Sequence, residues 1–241
     1  MGVKSVDEVA VIIQARLCSE RVPRKMIRDF CGSSLFEIGV KKILDSSVIP
    51  KENFYVSVYE DELKDVANKY GVNIFERSEE SATNDNSLQT IYEWHDKLPP
   101  QFKYVVLVSA CTPLLKTETI DGFFQAYVDQ DERGLMAVID KRNYFWNDKG
   151  TMVTPWPDGQ TIMNTKAVAP TYEAAHTMYG SRLDTIKDNI WMGSFKNSDP
   201  TLYVVPEIES FDIDYEWQFT LGEILFWKTI EGNSNEDAEN S

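Results

Sequence analysis

The chain has 241 residues, of which 42% are hydrophobic and 12% aromatic, a composition typical of a globular protein with a sizeable core. Its formal net charge of -15 argues against nucleic acid as a partner, because binding a phosphate backbone requires a broad basic face. No apolar run approaches the ~18 residues of a membrane span, and the start of the chain lacks the pattern of a signal peptide. We therefore expect a cytoplasmic protein that binds neither nucleic acid nor a membrane.

The cysteines and histidines exclude two further kinds of site. Cys18, Cys31 and Cys111 are odd in number and widely spaced, so they predict neither a disulfide framework nor a zinc site. Free cysteines of this kind fit a reducing compartment such as the cytoplasm. With only two histidines in the sequence, His95 and His176, a metal site built from histidines is excluded.

The first predicted element is a strand over residues 9–13, an apolar run that suits burial on both faces. In the loop that follows, a single acid, Glu20, is outnumbered by five cations: Arg16, Arg21, Arg24, Lys25 and Arg28. Cations at the carboxyl end of a first parallel strand favour an anionic ligand. The loop has neither a Walker A motif nor a G-x-G-x-x-G fingerprint, so arginine forks, lysine charges and turn amides would hold a phosphate. The alternative is a solvated basic loop without a ligand.

Strand and helix patterns then alternate as far as residue 139. Ser34 and Glu37 form a capping box that opens a helix, and Gly71 marks the end of the next one. The further predicted strands are 54–59, 72–75, 104–108, 135–139 and 202–206, and the further helices cover 63–70, 88–95, 120–127 and a segment from 215. Repeated β-α units predict an α/β fold, with a mainly parallel, Rossmann-like sheet flanked by helices and ligands at the carboxyl ends of its strands.

The alternation stops between residues 143 and 199. This stretch contains Trp146, Trp156 and Trp191 and shows no clean period. It indicates either a small lobe inserted over the sheet, which contributes an acceptor site and a subunit contact, or a plain aromatic extension of the core. We predict a single α/β domain over 1–231 with 143–199 as the inserted lobe, and a disordered acidic tail over 232–241.

A pair of aspartates, Asp212 and Asp214, follows the last predicted strand. In an extended segment, side chains two residues apart project from the same face. Two adjacent carboxylates repel each other unless a cation joins them, and a pair of hard oxygen ligands suits Mg²⁺ carrying a triphosphate. The alternative is that the aspartates cap the helix that begins near Tyr215.

The basic loop and the aspartate pair resemble the signature segments of the sugar-acid cytidylyltransferases, which transfer CMP from CTP to acylneuraminate or 3-deoxy-octulosonate. A-R-x-x-S-x-R-x-P-x-K at 15–25 is similar to the loop that wraps the triphosphate of CTP in that family, with Glu20 where a lysine is common. F-D-I-D-Y-E-W-Q-F at 211–219 is similar to the segment that supplies the metal carboxylates. The resemblance implies the fold of the nucleotide-diphospho-sugar transferases and a homodimer that uses CTP and Mg²⁺.

The resemblance also implies a nucleotide site, composed of Ala15, Arg16, Ser19, Arg21, Lys25, Arg77, Ser87 and Ser109. Arg16 and Lys25 would be the catalytic cations that stabilise charge on the phosphates. Arg77 corresponds to an arginine near the cytosine, and the loop over 84–87 would complete the base pocket. Ser109 opens the segment S-A-C-T-P-L, which resembles Q-P-T-S-P-L in the family. The metal ligands would be Asp212 and Asp214.

The implied acceptor site departs most from the family. Sialic acid synthetases carry a stretch similar to R-x-N-G-A-I-Y, and the nearest segment here, residues 172–179, keeps only the tyrosine. Glu173, His176 and Tyr179 are the candidate acceptor residues in this segment. The resemblance implies a sugar acid as acceptor and leaves its identity open.

We predict from these features a nucleotidyltransferase that moves CMP from CTP to a sugar acid and releases pyrophosphate. A metal-dependent glycosyltransferase of related fold is the first alternative, although its aspartate pair should follow the central strand, where Ser109, Ala110 and Cys111 stand. A non-catalytic nucleotide-binding relative is the second, and Glu20 and the altered acceptor segment argue for it.

Overall fold

Seven strands form one sheet in the computed structural model, which describes residues 4–83 and 87–239 and, in the last helix, side chains only as far as residue 229. The strands are β1 (Val9–Gln14), β2 (Phe54–Val58), β3 (Asn73–Glu76), β4 (Tyr104–Val108), β5 (Leu135–Lys141), β6 (Thr171–Arg182) and β7 (Thr201–Val204). Their order in the sheet is β3-β2-β1-β4-β6-β5-β7. Pairing is parallel except at β6, which runs antiparallel to both of its neighbours. The predicted mainly parallel sheet is therefore confirmed.

Helices cover the sheet, and β1 divides the interior into two cores. The helices are α1 (Leu35–Leu44), α2 (Asp61–Tyr70), α3 (Glu79–Thr83), α4 (Leu88–Ile91), α5 (Thr117–Asp129) and α6 (Glu216–Glu239). Because side chains alternate along a strand, Val11 and Ile13 enter the larger core with residues of α1, α2 and α5, while Ile12 enters a smaller core around Trp94. The apolar run that predicts β1 is buried on both faces.

Local signals in the sequence place the ends of the first helices correctly. The Ser34 hydroxyl accepts a hydrogen bond from the backbone N–H of Glu37 at 3.2 Å and caps α1. Gly71 ends α2 with a φ of 65°, a left-handed conformation that glycine adopts without steric cost. These ends matter for the site because α1 and α2 follow the loops at the carboxyl ends of β1 and β2.

Residues 171–182, which the sequence analysis places inside the insertion 143–199, form β6 in the interior of the sheet. The strand lacks a regular alternation because its register with β5 shifts at a bulge, where His176 has a φ of 55°. Gly180 allows the ring of Tyr127 to pack on the strand, since a Cβ there would lie 2.7 Å from a ring carbon. The insertion therefore contributes a central strand as well as loops.

The helix predicted over 88–95 is divided at Tyr92, whose φ of -109° and ψ of 45° leave the helical region. A 3₁₀ turn over Glu93–Asp96 follows. It buries Trp94 completely and lets the indole N–H donate to Gln14 Oε1 at 2.8 Å. Burial of this large ring thus overrides the helical period that the sequence suggests.

The last helix, α6, extends from the core toward the end of the sequence. Its backbone continues to Glu239 and so enters the stretch 232–241, whose composition predicts disorder. The disordered tail stays a prediction, as does the single domain over 1–231. Among the described residues, no helix combines the length and the apolar character needed to cross a membrane.

Candidate active site

The two signature segments meet at one carboxylate. Lys25 Nζ lies 3.3 Å from Asp214 Oδ1, and Arg21 Nη2 lies 3.0 Å from the same oxygen. The Lys25 ammonium also donates to the backbone carbonyl of Ile213. The structure therefore brings together residues that are 189 positions apart in the sequence.

The segment around Asp214 is fixed by backbone contacts with the loop after β4. The backbone N–H of Ile213 donates to the carbonyl of Cys111 at 3.0 Å, and the Ile213 side chain is buried. The side-chain oxygen of Gln218 accepts from the N–H groups of Asp214 and Tyr215, both at 2.8 Å. Within the part of the chain that the structure describes, no N–H group of α6 donates to Asp212 or Asp214. Gln218 thus caps α6, and this geometry argues against the capping interpretation of the aspartates.

Burial and charge act against each other at Lys25. The residue is 9% exposed, and this burial favours a lower pKa for its ammonium group. The neighbouring Cys111 thiol and the carboxylates of Asp214 and Asp212 favour the charged form and raise the pKa of Lys25 above its ordinary value. Lys25 therefore stays a cation at neutral pH, in a place where solvent screens its charge little.

Asp212 has an unsatisfied carboxylate. Burial raises its pKa, and the charge of Asp214 raises it further, while Lys25, His176 and Arg21 act in the opposite direction. Its Oδ1 is buried and has no hydrogen-bond partner among the described residues. An unpaired buried carboxylate oxygen is unfavourable, so this atom is suited to a ligand that brings positive charge.

The donor set suits a cation that arrives with phosphates better than a metal held by protein alone. Among the side chains that the structure describes, at residues 4–83 and 87–229, no three of His, Cys, Asp or Glu come together as metal ligands. Asp212 and Asp214 supply two carboxylates, of which Asp214 is already paired with Lys25 and Arg21. Mg²⁺ commonly binds through one or two carboxylates and takes its remaining ligands from water and substrate phosphates. The residues present fit that arrangement.

The other cations of the loop serve its attachment to the helices. Arg24 Nη2 lies 3.1 Å from Glu62 Oε1 at the start of α2. Arg28 pairs with Glu216, and its guanidinium lies 4.2 Å from the ring centroid of Phe219. Of the five cations that the sequence gathers here, Lys25 and Arg21 contact the aspartate segment, residues 212–214, through the Asp214 carboxylate.

At the other end of the loop, Arg16 and Arg77 bind backbone carbonyls. Arg16 Nη1 donates to Ala82 O at 3.2 Å, and Arg77 Nη1 donates to Ala15 O at 3.3 Å. Arg77 is 5% exposed and also binds the side chain and the carbonyl of Ser81. Burial, followed by the charge of Arg16, lowers the pKa of Arg77. Arg77 thus links the loop after β3 to the loop after β1.

Two of the three predicted serines, Ser19 and Ser109, lie in the loops that follow the carboxyl ends of β1 and β4. Ser19 donates its backbone N–H to Leu17 O at 2.8 Å. Ser109 Oγ accepts from the backbone N–H of Cys111 at 3.1 Å and so shapes the turn that meets Ile213. Ser87 precedes α4, and the residues before it in the expected base pocket, 84–86, lie outside the described residues.

Two of the three candidate acceptor residues lie beside the aspartate segment. His176 Nδ1 is 2.9 Å from the hydroxyl of Tyr179, and both residues interact electrostatically with Asp212. Burial raises the pKa of the Tyr179 hydroxyl, and its ring packs on Trp191 with a centroid separation of 6.4 Å. Glu173 is directed elsewhere, since its carboxylate lies 3.6 Å from Lys141 Nζ of β5.

Three contributors to the site escape sequence reasoning: Cys111, Gln218 and Glu60. Cys111 is a half-buried neighbour of Lys25, and the sequence does not indicate that these two side chains meet. Glu60 Oε1 accepts from the backbone N–H of Leu17 at 2.7 Å and holds the start of the basic loop. Single residues of this kind carry no spacing signal. For Gln218, its place three residues after Tyr215 is the one signal available, because a polar side chain at that position can reach back to the helix start.

Comparison with known sequences adds an independent observation. A family model described as cytidylyltransferase matches residues 10–206. Curated relatives include N-acylneuraminate cytidylyltransferase B of Danio rerio, 29% identical over 140 residues, which are 58% of this chain and 32% of the relative. Pseudaminic acid cytidylyltransferase of Campylobacter jejuni is 27% identical over 134 residues, 54% of this chain and 57% of the relative. This chain therefore matches between 32% and 57% of the length of these relatives.

Solved structures share the fold at low sequence identity. A structure of CMP:2-keto-3-deoxy-manno-octonic acid synthetase complexed with CTP has a TM-score of 0.66 at 11% identity, and the match covers 92% of this chain and 99% of that chain. A structure of 4-diphosphocytidyl-2C-methyl-D-erythritol synthase from Anaerococcus prevotii has a TM-score of 0.62 at 15% identity and covers 92% and 100%. These matches concern the arrangement of the strands and helices.

Proposed function

We propose a transfer of CMP for this chain, which belongs to the cytidylyltransferase family. CTP would donate the CMP group to a sugar acid, and pyrophosphate would be released. The observation that supports this most directly is the contact of Lys25 and Arg21 with Asp214, which joins the two signature segments. Cations that face a carboxylate pair suit a triphosphate and its metal ion.

In the proposed reaction, the oxygen of a sugar hydroxyl bonds to the α-phosphorus of CTP and gives up its proton to water, and the bond from that phosphorus to the pyrophosphate oxygen breaks. Negative charge grows on the leaving pyrophosphate, so the reaction depends on positioning and charge neutralisation. Lys25 and Arg16 are the proposed catalytic cations. Lys25 and Arg21 would exchange the Asp214 carboxylate for phosphate oxygens, a change that keeps the buried Lys25 ammonium paired with an anion.

We propose that Asp212 and Asp214 hold Mg²⁺. The buried, unpartnered Oδ1 of Asp212 supports this proposal, because a hard cation would satisfy it. Mg²⁺, when bound, would supply positive charge to the phosphate oxygens. The protein's own contribution is to hold the two carboxylates in place through the Ile213–Cys111 backbone hydrogen bond and the Gln218 cap.

The remaining nucleotide residues would act mainly by shaping the loops. Ala15, Ser19 and Ser109 lie in the loops at the carboxyl ends of β1 and β4, where backbone groups are available to a ligand. Ser87 immediately precedes α4. Arg77 would position the site rather than contact CTP, because its guanidinium is buried and bound to carbonyl groups.

The acceptor would bind next to Asp212, against His176 and Tyr179. The hydrogen bond between these two side chains orients the imidazole, and its exposed position leaves it accessible to a hydroxyl or carboxylate of a sugar acid. Glu173 fits this role less well, because it pairs with Lys141. Since the segment differs from that of sialic acid synthetases, we expect N-acetylneuraminate to be a poorer acceptor than a related sugar acid.

Release of pyrophosphate tests the function. The purified chain is incubated with CTP, Mg²⁺ and, in separate reactions, N-acetylneuraminate, pseudaminate or 3-deoxy-octulosonate. We expect release that depends on one of the acids, with a CMP-sugar detected by mass spectrometry. Release with none of them, or transfer of a sugar from a nucleotide-sugar donor instead, would contradict the proposal.

We further propose that the protein is a homodimer in the cytoplasm. The loops of the insertion expose large apolar side chains, including Trp146, Ile162 and Met163, and exposed apolar groups of this kind mark contact surfaces. Cytoplasm is the compartment that suits the free thiols of Cys18 and Cys111.

A further inference from the structure

Glu60 stands at the start of α2, yet its side chain does not cap that helix. The residue occupies the N-cap position, with φ -76° and ψ 141°, and makes no side-chain capping hydrogen bond. An acidic residue at this position usually accepts from the first N–H groups of its own helix. Here the carboxylate turns toward the loop after β1, where Oε1 accepts from the backbone N–H of Leu17 at 2.7 Å. The side chain therefore belongs to the ligand end of the sheet.

The second oxygen of this carboxylate is unsatisfied. Glu60 Oε2 is buried and has no hydrogen-bond partner among the described residues. A buried carboxylate oxygen without a donor has lost its hydrogen bonds to water and has no hydrogen bond within the protein to replace them, which is unfavourable. The charge of Glu60 favours the protonated form of the nearby Arg77 and so acts to raise its pKa. The N–H groups of Arg77, however, donate to Ser81 and to the carbonyl of Ala15. No donor in the described part of the chain therefore serves Glu60 Oε2.

The order of the strands indicates which part of a nucleotide could supply that donor. Glu60 follows β2, whereas Cys111, which binds the aspartate segment, follows β4, and β1 lies between these two strands. Strands are spaced at about 4.8 Å, so the two positions are separated by about 10 Å across the end of the sheet. The triphosphate belongs on the β4 side, with Lys25, Arg21 and Asp214. The nucleoside then extends toward β2 and Glu60.

The chemistry of a carboxylate limits which groups of a nucleotide could donate to Glu60. It repels phosphate and accepts hydrogen bonds only from N–H or O–H groups, which a nucleoside offers at a base amino group and at the ribose hydroxyls. A carboxylate that accepts from the 4-amino group of cytosine is a direct way to recognise that base. Uracil has a keto oxygen at the same position and would be repelled.

Resting on the proposed use of CTP, we infer that Glu60 Oε2 accepts a hydrogen bond from the 4-amino group of cytosine and selects CTP against UTP. Leu17 fixes the other oxygen, so the carboxylate is held before the nucleotide arrives. Glu60 is then a specificity residue on the β2 side of the site, separate from the charges that hold the triphosphate.

Glu60→Gln tests this inference with little change of shape. Glutamine keeps a side-chain oxygen for the N–H of Leu17 and replaces Oε2 by an amide N–H₂ group, which donates. We expect the ratio of kcat/KM for CTP to kcat/KM for UTP to fall by about 10- to 100-fold, the range for loss of a good base contact. The value for CTP should fall and the value for UTP should rise. Glu62→Gln is the matched control, since Glu62 pairs with Arg24 away from the aspartate segment and should leave the ratio unchanged.

The outcomes separate three roles of Glu60. An equal fall of kcat/KM with CTP and UTP, or no change of kcat/KM with either, would overturn the inference. Glu60 would then only hold the backbone of Leu17 in place. A changed preference for CTP over deoxy-CTP, with the CTP to UTP ratio unchanged, would assign the donor to the ribose and overturn the base contact. Calorimetric titration of both proteins with CTP and UTP gives the same comparison without an acceptor. Base selection therefore remains measurable even if no sugar acid is turned over, and thermal unfolding confirms that the variant is folded.

Discussion

Lys25 is a cation that the protein almost encloses. Its ammonium group binds the Ile213 carbonyl and the Asp214 carboxylate, and its neighbours keep it charged. We expect Lys25→Ala to lower kcat by about 10²- to 10³-fold, because a fixed charge near the reacting phosphates is lost. It should also lower thermal stability, since the Ile213 carbonyl loses its donor. Pyrophosphate release and thermal unfolding measure the two effects.

Arg24→Ala is the control for this substitution. Arg24 belongs to the same loop but pairs with Glu62. It should retain most of the activity. A folded Lys25→Ala protein with normal kcat would remove Lys25 from the reaction.

Asp214 and Gln218 separate metal binding from helix capping. Asp214→Asn preserves the shape of the side chain but removes a negative charge and a strong oxygen ligand. We expect activity to collapse at ordinary Mg²⁺ and to recover in part at higher Mg²⁺ or with Mn²⁺. Gln218→Ala should instead lower the free energy of unfolding by about 1 kcal/mol, because the N–H groups of Asp214 and Tyr215 lose their acceptor. Full activity of Asp214→Asn at limiting Mg²⁺ would refute the metal assignment for this residue.

At the scale of residues, the sequence predicts the groups that belong to motifs and misses those that act singly. The meeting of Lys25 with Asp214 follows from two segments whose spacing is recognisable. Glu60 contacts Leu17 from 43 positions away, and no local pattern marks it. The role of Arg77 is likewise set by burial, which the sequence around it does not reveal.

At the scale of elements, α1 and α2 are joined through Glu37. The hydroxyl of Tyr70 and the ammonium groups of Lys69 and Lys41 lower the pKa of Glu37 from 4.5 to about 2, against the opposing effect of burial. Because the pKa is lower in the folded protein, the ionised Glu37 stabilises the fold above about pH 4.5. This contribution is lost as the pH falls from there toward about 2.

Glu37→Gln should therefore destabilise the protein at pH 7 and have a progressively smaller effect below pH 4.5. Urea unfolding of both proteins between pH 7 and pH 3 measures the difference. Glu118→Gln, at the start of α5, is a control without such partners in the described chain. A constant difference between Glu37→Gln and the wild-type protein across this range would contradict the assignment.

Most elements follow from period and capping signals, and the exceptions have physical causes. The sequence pattern does not reveal β6, because a bulge at His176 interrupts its alternation and Gly180 leaves room for the ring of Tyr127. The helix over 88–95 breaks because Trp94 is buried in the smaller core. In both cases a contact with a distant element decides the local conformation, and a single sequence does not display that contact.

At the scale of the whole molecule, the exposed apolar side chains of the insertion predict a dimer. We expect light scattering to give about twice the mass of 27.6 kDa for the chain. Replacing Ile162 and Met163, which are 70% and 58% exposed, by lysine should shift the mass to that of a monomer. Ile224→Lys, at a residue of α6 that is 52% exposed, is the matched control. If Ile224→Lys gives a monomer and the replacement of Ile162 and Met163 does not, the interface lies on α6 instead of the insertion.

The contact between Lys25 and Asp214 also requires that the chain be synthesised at least as far as Asp214. These residues are 189 positions apart, and α5, β5, β6 and β7 must all be made before the second one exists. A nascent chain can emerge from the ribosome with β1, β2 and β4 complete and still lack the aspartate side of the proposed triphosphate site. We therefore expect a fragment that ends before Asp214 not to bind CTP, even when these three strands have formed.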